Sequence, residues 1–543
     1  MSTSRIKLYD TTLRDGSQAS DINFTLEEKL ALIEAFDRFG FDYIEAGWPR
    51  PGSADEELFA RASTMTLQHA RLAAFSSTKK ARSKVAEDPI LRALIESGAP
   101  VATVFGKTWI HHVTYQLKAT PDENLGMIRE TIEYLRDNPM RPFEEVVYDA
   151  EHFFDGYKDD SEYALATLKA AALAGASVLV LCDTNGGTLY NEVGDIVWWV
   201  LEFLKSDPAI RERFGDALPE VGIHCHNDSG LGVASTLEAV RRGCTHVQGT
   251  VNGVGERIGN ADLVQVIANL ALKTDAVLRD VVRVEELTHL SDAVYARAGL
   301  RPRKDQPFVG VKGFAHDGGV HVDAVLKGAS YQHIDPARVG NKMRITLSTN
   351  SGRASIYAVV KSLGFDVEPN DPRLRAMLDE VHALCSEGFD IGLLEDEQYL
   401  LALKHLGEIP RRIVVTRCDV TSHFTQLEDK EDHDNSCILK MEVDGVEYKV
   451  FEDTESGPVG VNFKAMKEAL GRARLPTNFE LVNYEVGLPK QREGAGSTIQ
   501  TYITYEMDDG QLITTSGFHE DIIVSSRESL LKAALLVAAR FGK

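Results

Sequence analysis

IKLYD (6–10), TLEEKLALIEAFDRFG (25–40) and YIEAGW (43–48) form a short apolar run, an amphipathic segment and a second apolar run. The middle segment reads as a helix by its apolar spacing. Thr25 stands where an N-cap belongs and Glu28 follows three residues later, the pattern of a capping box. The same rhythm continues through LAAFSS (72–77), VATVFG (101–106), EVVYDA (145–150), SVLVLCD (177–183), VGIHCHN (221–227) and HVQGTV (246–251). Helical segments such as DENLGMIRETIEYLRDN and EYALATLKAAALAG lie between them. Strands alternating with helices at this spacing imply parallel pairing through right-handed crossovers. Eight such units fit a closed (β/α)₈ barrel, a TIM barrel of the α/β class, better than the alternative of an open doubly wound sheet.

The rhythm changes near residue 275. Residues 1–275 are read as the barrel domain, and residues 276–425 as helical linker subdomains with Gly-rich interruptions that contribute to the active site. Residues 426–543 are read as a C-terminal α+β domain. Within the last, ILKMEV-DG-VEYKVFE and TYITYEM-DDG-QLITTSG are hairpin signals, each followed by a helical segment. An Ala-Leu pair falls at the same offset from each turn glycine: Gly445 to Ala469-Leu470, and Gly510 to Ala534-Leu535. Two ββα units in tandem are the expectation, from an internal duplication. The charged stretch TQLEDKEDHDN (425–435) reads as a linker or exposed loop.

Composition bounds the function. The 543 residues carry 59 basic and 82 acidic side chains, a formal net charge of −23, which argues against sequence-independent nucleic-acid binding. No run approaches the ~18 apolar residues of a membrane span, and MSTSRIKLYD has no apolar stretch of signal-peptide type. The six cysteines are scattered with no C-x-x-C pair, which suits reduced thiols and a cytoplasmic location.

Barrel enzymes place their chemistry at the C-terminal ends of the strands. The first strand ends in YDTTLRDGSQ, where Asp15 offers a carboxylate to a hard cation and Arg14 a guanidinium to a developing oxyanion. Alone, that pair is an ordinary surface ion pair. The seventh strand carries HCHND, and His224 and His226, two apart, point to the same side as ligands of one metal must. For a lone H-x-H, a polar barrel lining is as good a reading as metal binding; the position at a strand end favours metal. NGVGERIGN after the eighth strand does not fit G-x-G-x-x-G, and Asn260 there could add an amide oxygen to the same cation. Glu151 and Thr184 lie at the ends of strands five and six. Several polar groups converging on one barrel mouth define a candidate site.

DTTLRDGSQ, HCHND and GERIGN, in that order on eight βα units, resemble the family of 2-isopropylmalate, homocitrate and citramalate synthases, and the wording LYDTTLRDGSQ and YIEAGWP is most similar to its bacterial citramalate branch. The resemblance extends over essentially the whole chain, its C-terminal part being similar to the amino-acid-binding regulatory domain of the synthases. It implies an acyltransferase that condenses acetyl-CoA with a 2-keto acid, pyruvate in the citramalate branch, on the way to isoleucine. It further implies one divalent cation, Mn²⁺, Mg²⁺ or Zn²⁺, held by Asp15, His224, His226 and Asn260. By the same resemblance Arg14 stabilises negative charge on the keto oxygen and Thr184 binds the substrate carboxylate. His321 is the base that takes a proton from the acetyl methyl, delivered across a homodimer interface and paired with Glu151. Tyr331 matches a further active-site position, and His316 is the competing base, whose plainer reading is packing.

Three other readings stand beside this one. A 2-isopropylmalate or homocitrate synthase differs only in pocket side chains. A carbon–carbon lyase of the wider superfamily has no need of the C-terminal domain. A catalytically idle amino-acid sensor would carry a broken ligand or base set, and here the set is intact. Isoleucine, ahead of leucine, is the effector expected at residues ~430–543.

Overall fold

The computed structural model describes residues 5–316, 331–407, 409, 411–427, 430–487, 498–508 and 511–541. Eight parallel strands close into a barrel in chain order: β1 (Lys7–Asp10), β2 (Tyr43–Gly47), β3 (Arg71–Ser77), β4 (Val101–Lys107), β5 (Glu145–Glu151), β6 (Val178–Asp183), β7 (Glu220–Cys225) and β8 (His246–Gly249). Closure is explicit in the pairing of β1 with β8, where Lys7 faces His246 and Asp10 faces Gly249. That pairing excludes the open sheet.

The strands read as nearly continuous apolar runs because both of their faces are buried. Leu8, Ile44, Leu72, Ala102, Val146, Leu179 and Val247 point outward into one core shared with the helices. Tyr9, Tyr43, Ala73, Val101, Val147 and Val178 fill the barrel interior. The helix Leu26–Phe39 starts as its sequence dictates: the Thr25 hydroxyl accepts from Glu28 N, and the Glu28 carboxylate accepts from Thr25 N at 2.7 Å. Gly40 ends it at φ 106°, a left-handed conformation that glycine adopts without steric cost.

The core of the barrel unit runs beyond residue 275. Leu287, Leu290 and Val294 of the helix Leu287–Arg297 are buried in the barrel core, and the unit extends through Phe314 with Ile334–Lys342 added.

The second compact unit comprises Ala315–His333 and Met343–Lys543. Its helices Arg353–Ser362, Pro372–Glu387 and Glu395–Leu406 share one apolar core. Two antiparallel meanders follow, Ile413–Leu427/Lys430–Val443/Val446–Thr454 and Phe479–Gly487/Ile499–Met507/Leu512–His519. Each is followed by a helix, Pro458–Arg472 and Ile522–Phe541. The repeated motif therefore has three strands and a helix rather than two and a helix. Of the stretch expected as a linker or exposed loop, the described residues 425–427 and 430–435 are instead strand: Thr425 pairs with Asp432 and Ser422 with Asn435. Backbone pairing needs only N–H and C=O groups, so a polar hairpin can form without the apolar alternation that marks a half-buried strand. Among the described residues, no helix is long and apolar enough to cross a membrane, and all six cysteines are free thiols.

Candidate metal centre at the barrel mouth

The site is assembled from the ends of β1, β2, β5, β7 and β8. At the end of β1, the buried Asp10 carboxylate accepts from Thr12 N at 3.1 Å and from its hydroxyl at 2.7 Å, and that hydroxyl accepts from Val251 N. This clamp fixes the turn that delivers Arg14 and Asp15. Glu45, fully buried on β2, takes the Arg14 Nε–H, the Tyr9 hydroxyl at 2.7 Å and the Thr11 hydroxyl at 2.9 Å. The Arg14 guanidinium lies 3.7 Å from the centre of the Phe75 ring and donates from Nη1 to Asp15 at 2.9 Å. Packing, a carboxylate on either side and an aromatic face hold it in one pose.

Asp15, His224 and His226 present their ligand atoms within 4.8 Å of one another, all three buried. His224 Nε2 is 3.2 Å and His226 Nε2 3.7 Å from Asp15 Oδ2. Cys225 points away into the core, as strand alternation requires. Asn260 lies 2.7 Å from Asp15 Oδ2 and 3.0 Å from His224 Nε2 through Nδ2, while its Oδ1 is buried with no hydrogen-bond partner. Half a turn of that amide exchanges the two atoms, so the side chain can present an oxygen to the cluster. The glycines of the loop make room for it. A Cβ on Gly255 would fall 2.0 Å from Asn260 Oδ1, and one on Gly259 1.9 Å from the Gly253 carbonyl.

Electrostatics suit a cation. Burial would raise the Asp15 pKa, but the Arg14 charge and the His224 hydrogen bond outweigh it and hold the carboxyl well below its usual range. Burial and the neighbouring His224 push His226 down to about 4, keeping that imidazole neutral and its lone pair available. One carboxylate, two imidazoles and an amide oxygen form a donor set that fits a divalent metal.

The remaining positions are divided. Thr184 lines the same cavity of about 180 Å³, its hydroxyl accepting from His152 N at 2.8 Å. Glu151 also lines it and is ion-paired with Lys107. His321 lies outside the described residues. Tyr331, half exposed, and His316 belong to the second unit. The sequence reading missed Glu45, Asp149 and Gln248, which bind the Arg14 and His224 side chains or each other, and the aromatic wall of Trp48, Phe75 and Phe105. Each of the three polar residues interrupts an apolar run that was already read as a strand, and that interruption was the available signal.

Fold and site together define a (β/α)₈-barrel protein with a cation-ligand cluster at its C-terminal mouth. The chain belongs to the HMGL-like family, whose model matches residues 5–294. A model described as homocitrate synthase post-HMGL domain-like matches 308–388, and the LeuA allosteric (dimerisation) domain matches 395–537. The chain is 40% identical to an (R)-citramalate synthase of Aquifex aeolicus, over 96% of each chain. It is 38% identical to that of Sulfolobus acidocaldarius, over 98% of this chain and 96% of the relative. A probable 2-isopropylmalate synthase of Methanopyrus kandleri is 30% identical, over 99% of both.

Proposed function

We propose that this chain is an (R)-citramalate synthase, condensing acetyl-CoA with pyruvate to give (R)-citramalate and CoA. The reading is carried by the intact Asp15–His224–His226–Asn260 cluster in a chain that matches (R)-citramalate synthases along nearly its whole length. A divalent cation held by those four residues supplies Lewis-acid polarisation of a bound keto group. Arg14, rigidly held and positively charged, stabilises negative charge on the keto oxygen. Thr184 orients the substrate carboxylate. His321, oriented by Glu151, removes the acetyl methyl proton, and Tyr331 completes the active site. Trp48, Phe75 and Phe105 exclude water and limit the acceptor side chain. Residues 1–275 carry catalysis, 276–425 link and complete the site, and 426–543 bind the effector; the match to the dimerisation domain supports a homodimer. Free thiols and the lack of a membrane-spanning helix among the described residues suit a cytoplasmic enzyme.

A panel of 2-keto acids, assayed by CoA release with acetyl-CoA, tests the acceptor. Pyruvate is expected to exceed 2-ketoisovalerate in kcat/KM by tens-fold or more, since each added methylene in a tight pocket discriminates by ~1–3 kcal/mol. Chelator should abolish turnover, and Mn²⁺, Mg²⁺ or Zn²⁺ should restore it. A reversed acceptor preference would move the chain to the 2-isopropylmalate branch. For regulation, isoleucine is expected to bind the full chain in calorimetry and to inhibit turnover; no heat with isoleucine or leucine removes the effector assignment.

A further inference from the structure

Behind the metal ligands lies a polar chain that none of the proposed catalytic roles uses. His224 Nδ1 is 2.8 Å from Gln248 Oε1. The Gln248 amide nitrogen donates to Asp149 Oδ1 at 3.2 Å and lies 3.5 Å from His246 Nε2. All four side chains are buried. The nitrogen's hydrogen-bond acceptor is Asp149 Oδ1. The His246 ring, which burial and the nearby Lys7 charge push down to about 3 and keep neutral, adds no second positive donor and accepts at Nε2 in its Nδ1–H tautomer. An amide with its NH₂ on that side must turn its oxygen to His224. A carbonyl oxygen only accepts, so His224 carries its proton on Nδ1. In the neutral ring that binds a cation, the lone pair is then on Nε2, the atom that faces Asp15 and Asn260.

From this geometry we infer that Gln248 is a positioning residue for the cation: it fixes the Nδ1–H tautomer and the ring orientation of His224, so that Nε2 is committed to the metal. The inference rests on the cation site proposed above. Gln248 is the partner of His224 on the neighbouring strand β8, and Asp149 on β5 reaches Gln248 across the barrel interior. The barrel's polar filling below the mouth thus acts as the support of its first ligand. Outer partners of ligating histidines act in this way, and their loss weakens metal binding by about 10–100-fold.

Calorimetric titration with Zn²⁺ separates the possibilities. The unsubstituted protein should bind one Zn²⁺ per chain, and Asp15→Asn should lose it; if the unsubstituted protein binds none, the cation site fails rather than this inference. Gln248→Leu should bind Zn²⁺ about 10–100-fold more weakly, whereas Gln248→Glu, which keeps an acceptor toward Nδ1, should stay within about threefold of the parent or bind tighter. Affinity of Gln248→Leu within twofold of the parent would overturn the inference. A structural role alone would change the melting temperature of the chelated protein and leave Zn²⁺ affinity in place. Should Gln248→Leu not fold, ¹⁵N imidazole shifts of the Zn²⁺-loaded parent decide. Nε2 metallated with Nδ1 protonated is expected; the opposite assignment overturns it.

Discussion

Asp15→Asn is expected to lower kcat/KM for the 2-keto acid by about 10³-fold or more, a loss of about 4 kcal/mol of transition-state stabilisation. Asparagine keeps the shape of the side chain and removes its charge. Asp15 is the only carboxylate in the ligand cluster, and its surroundings keep it ionised against the cost of burial. Without it, two neutral imidazoles and an amide must hold a divalent ion next to the Arg14 guanidinium, which lies 2.9 Å from the same carboxylate. The cation is then repelled where it was attracted. Elemental analysis of the purified variant should show far less than one metal per chain, and activity should recover only partly at high cation concentration. Turnover within tenfold of the parent at equal cation would remove Asp15 from the centre and take the proposed chemistry with it.

That centre was legible in the sequence to the extent that its ligands sit on strand ends. HCHND is visible because a period of two on β7 places His224 and His226 on one side. DTTLRDGSQ is visible because β1 is short and ends in a charged turn. The barrel itself was legible because all eight apolar runs coincide with strands to within a few residues. The supporting shell was harder. Glu45, Asp149 and Gln248 stand inside YIEAGW, EVVYDA and HVQGTV, where a single polar residue does not disturb the strand reading. Glu45 meets Arg14 from the neighbouring strand β2, and Gln248 meets His224 from the neighbouring strand β8, while only the curved barrel brings Asp149 of β5 onto Gln248. These contacts join residues up to 99 apart in the chain, and the pairing depends on barrel register. The polar hairpin around 425–435 escaped for the opposite reason. Its backbone is paired, yet its sequence lacks the apolar face that announces a strand.

The buried Arg14–Glu45 pair allows chemistry and stability to be separated in one experiment. Arg14→Met preserves length and apolar packing against Phe75 while deleting the guanidinium. Glu45 would then retain only the hydroxyls of Tyr9 and Thr11, a fully buried carboxylate without a countercharge. Removing one partner of such a pair costs about 3–5 kcal/mol, because the other charge stays behind in a medium of low polarity. The melting transition of the barrel should fall by about 10 °C. Turnover should fall by about 10²–10³-fold as well, the usual effect of losing a fixed donor aimed at a developing oxyanion. The double variant Arg14→Met/Glu45→Gln relieves the stranded charge, since a neutral amide in the same place can still bond to both hydroxyls. Its melting temperature should return more than halfway to that of the parent, with turnover as low as in Arg14→Met. The two readouts part company only if Arg14 acts on the substrate. Were activity to return together with stability, the guanidinium would be a structural counter-ion for Glu45, and charge stabilisation at the keto oxygen would have to come from elsewhere in the site.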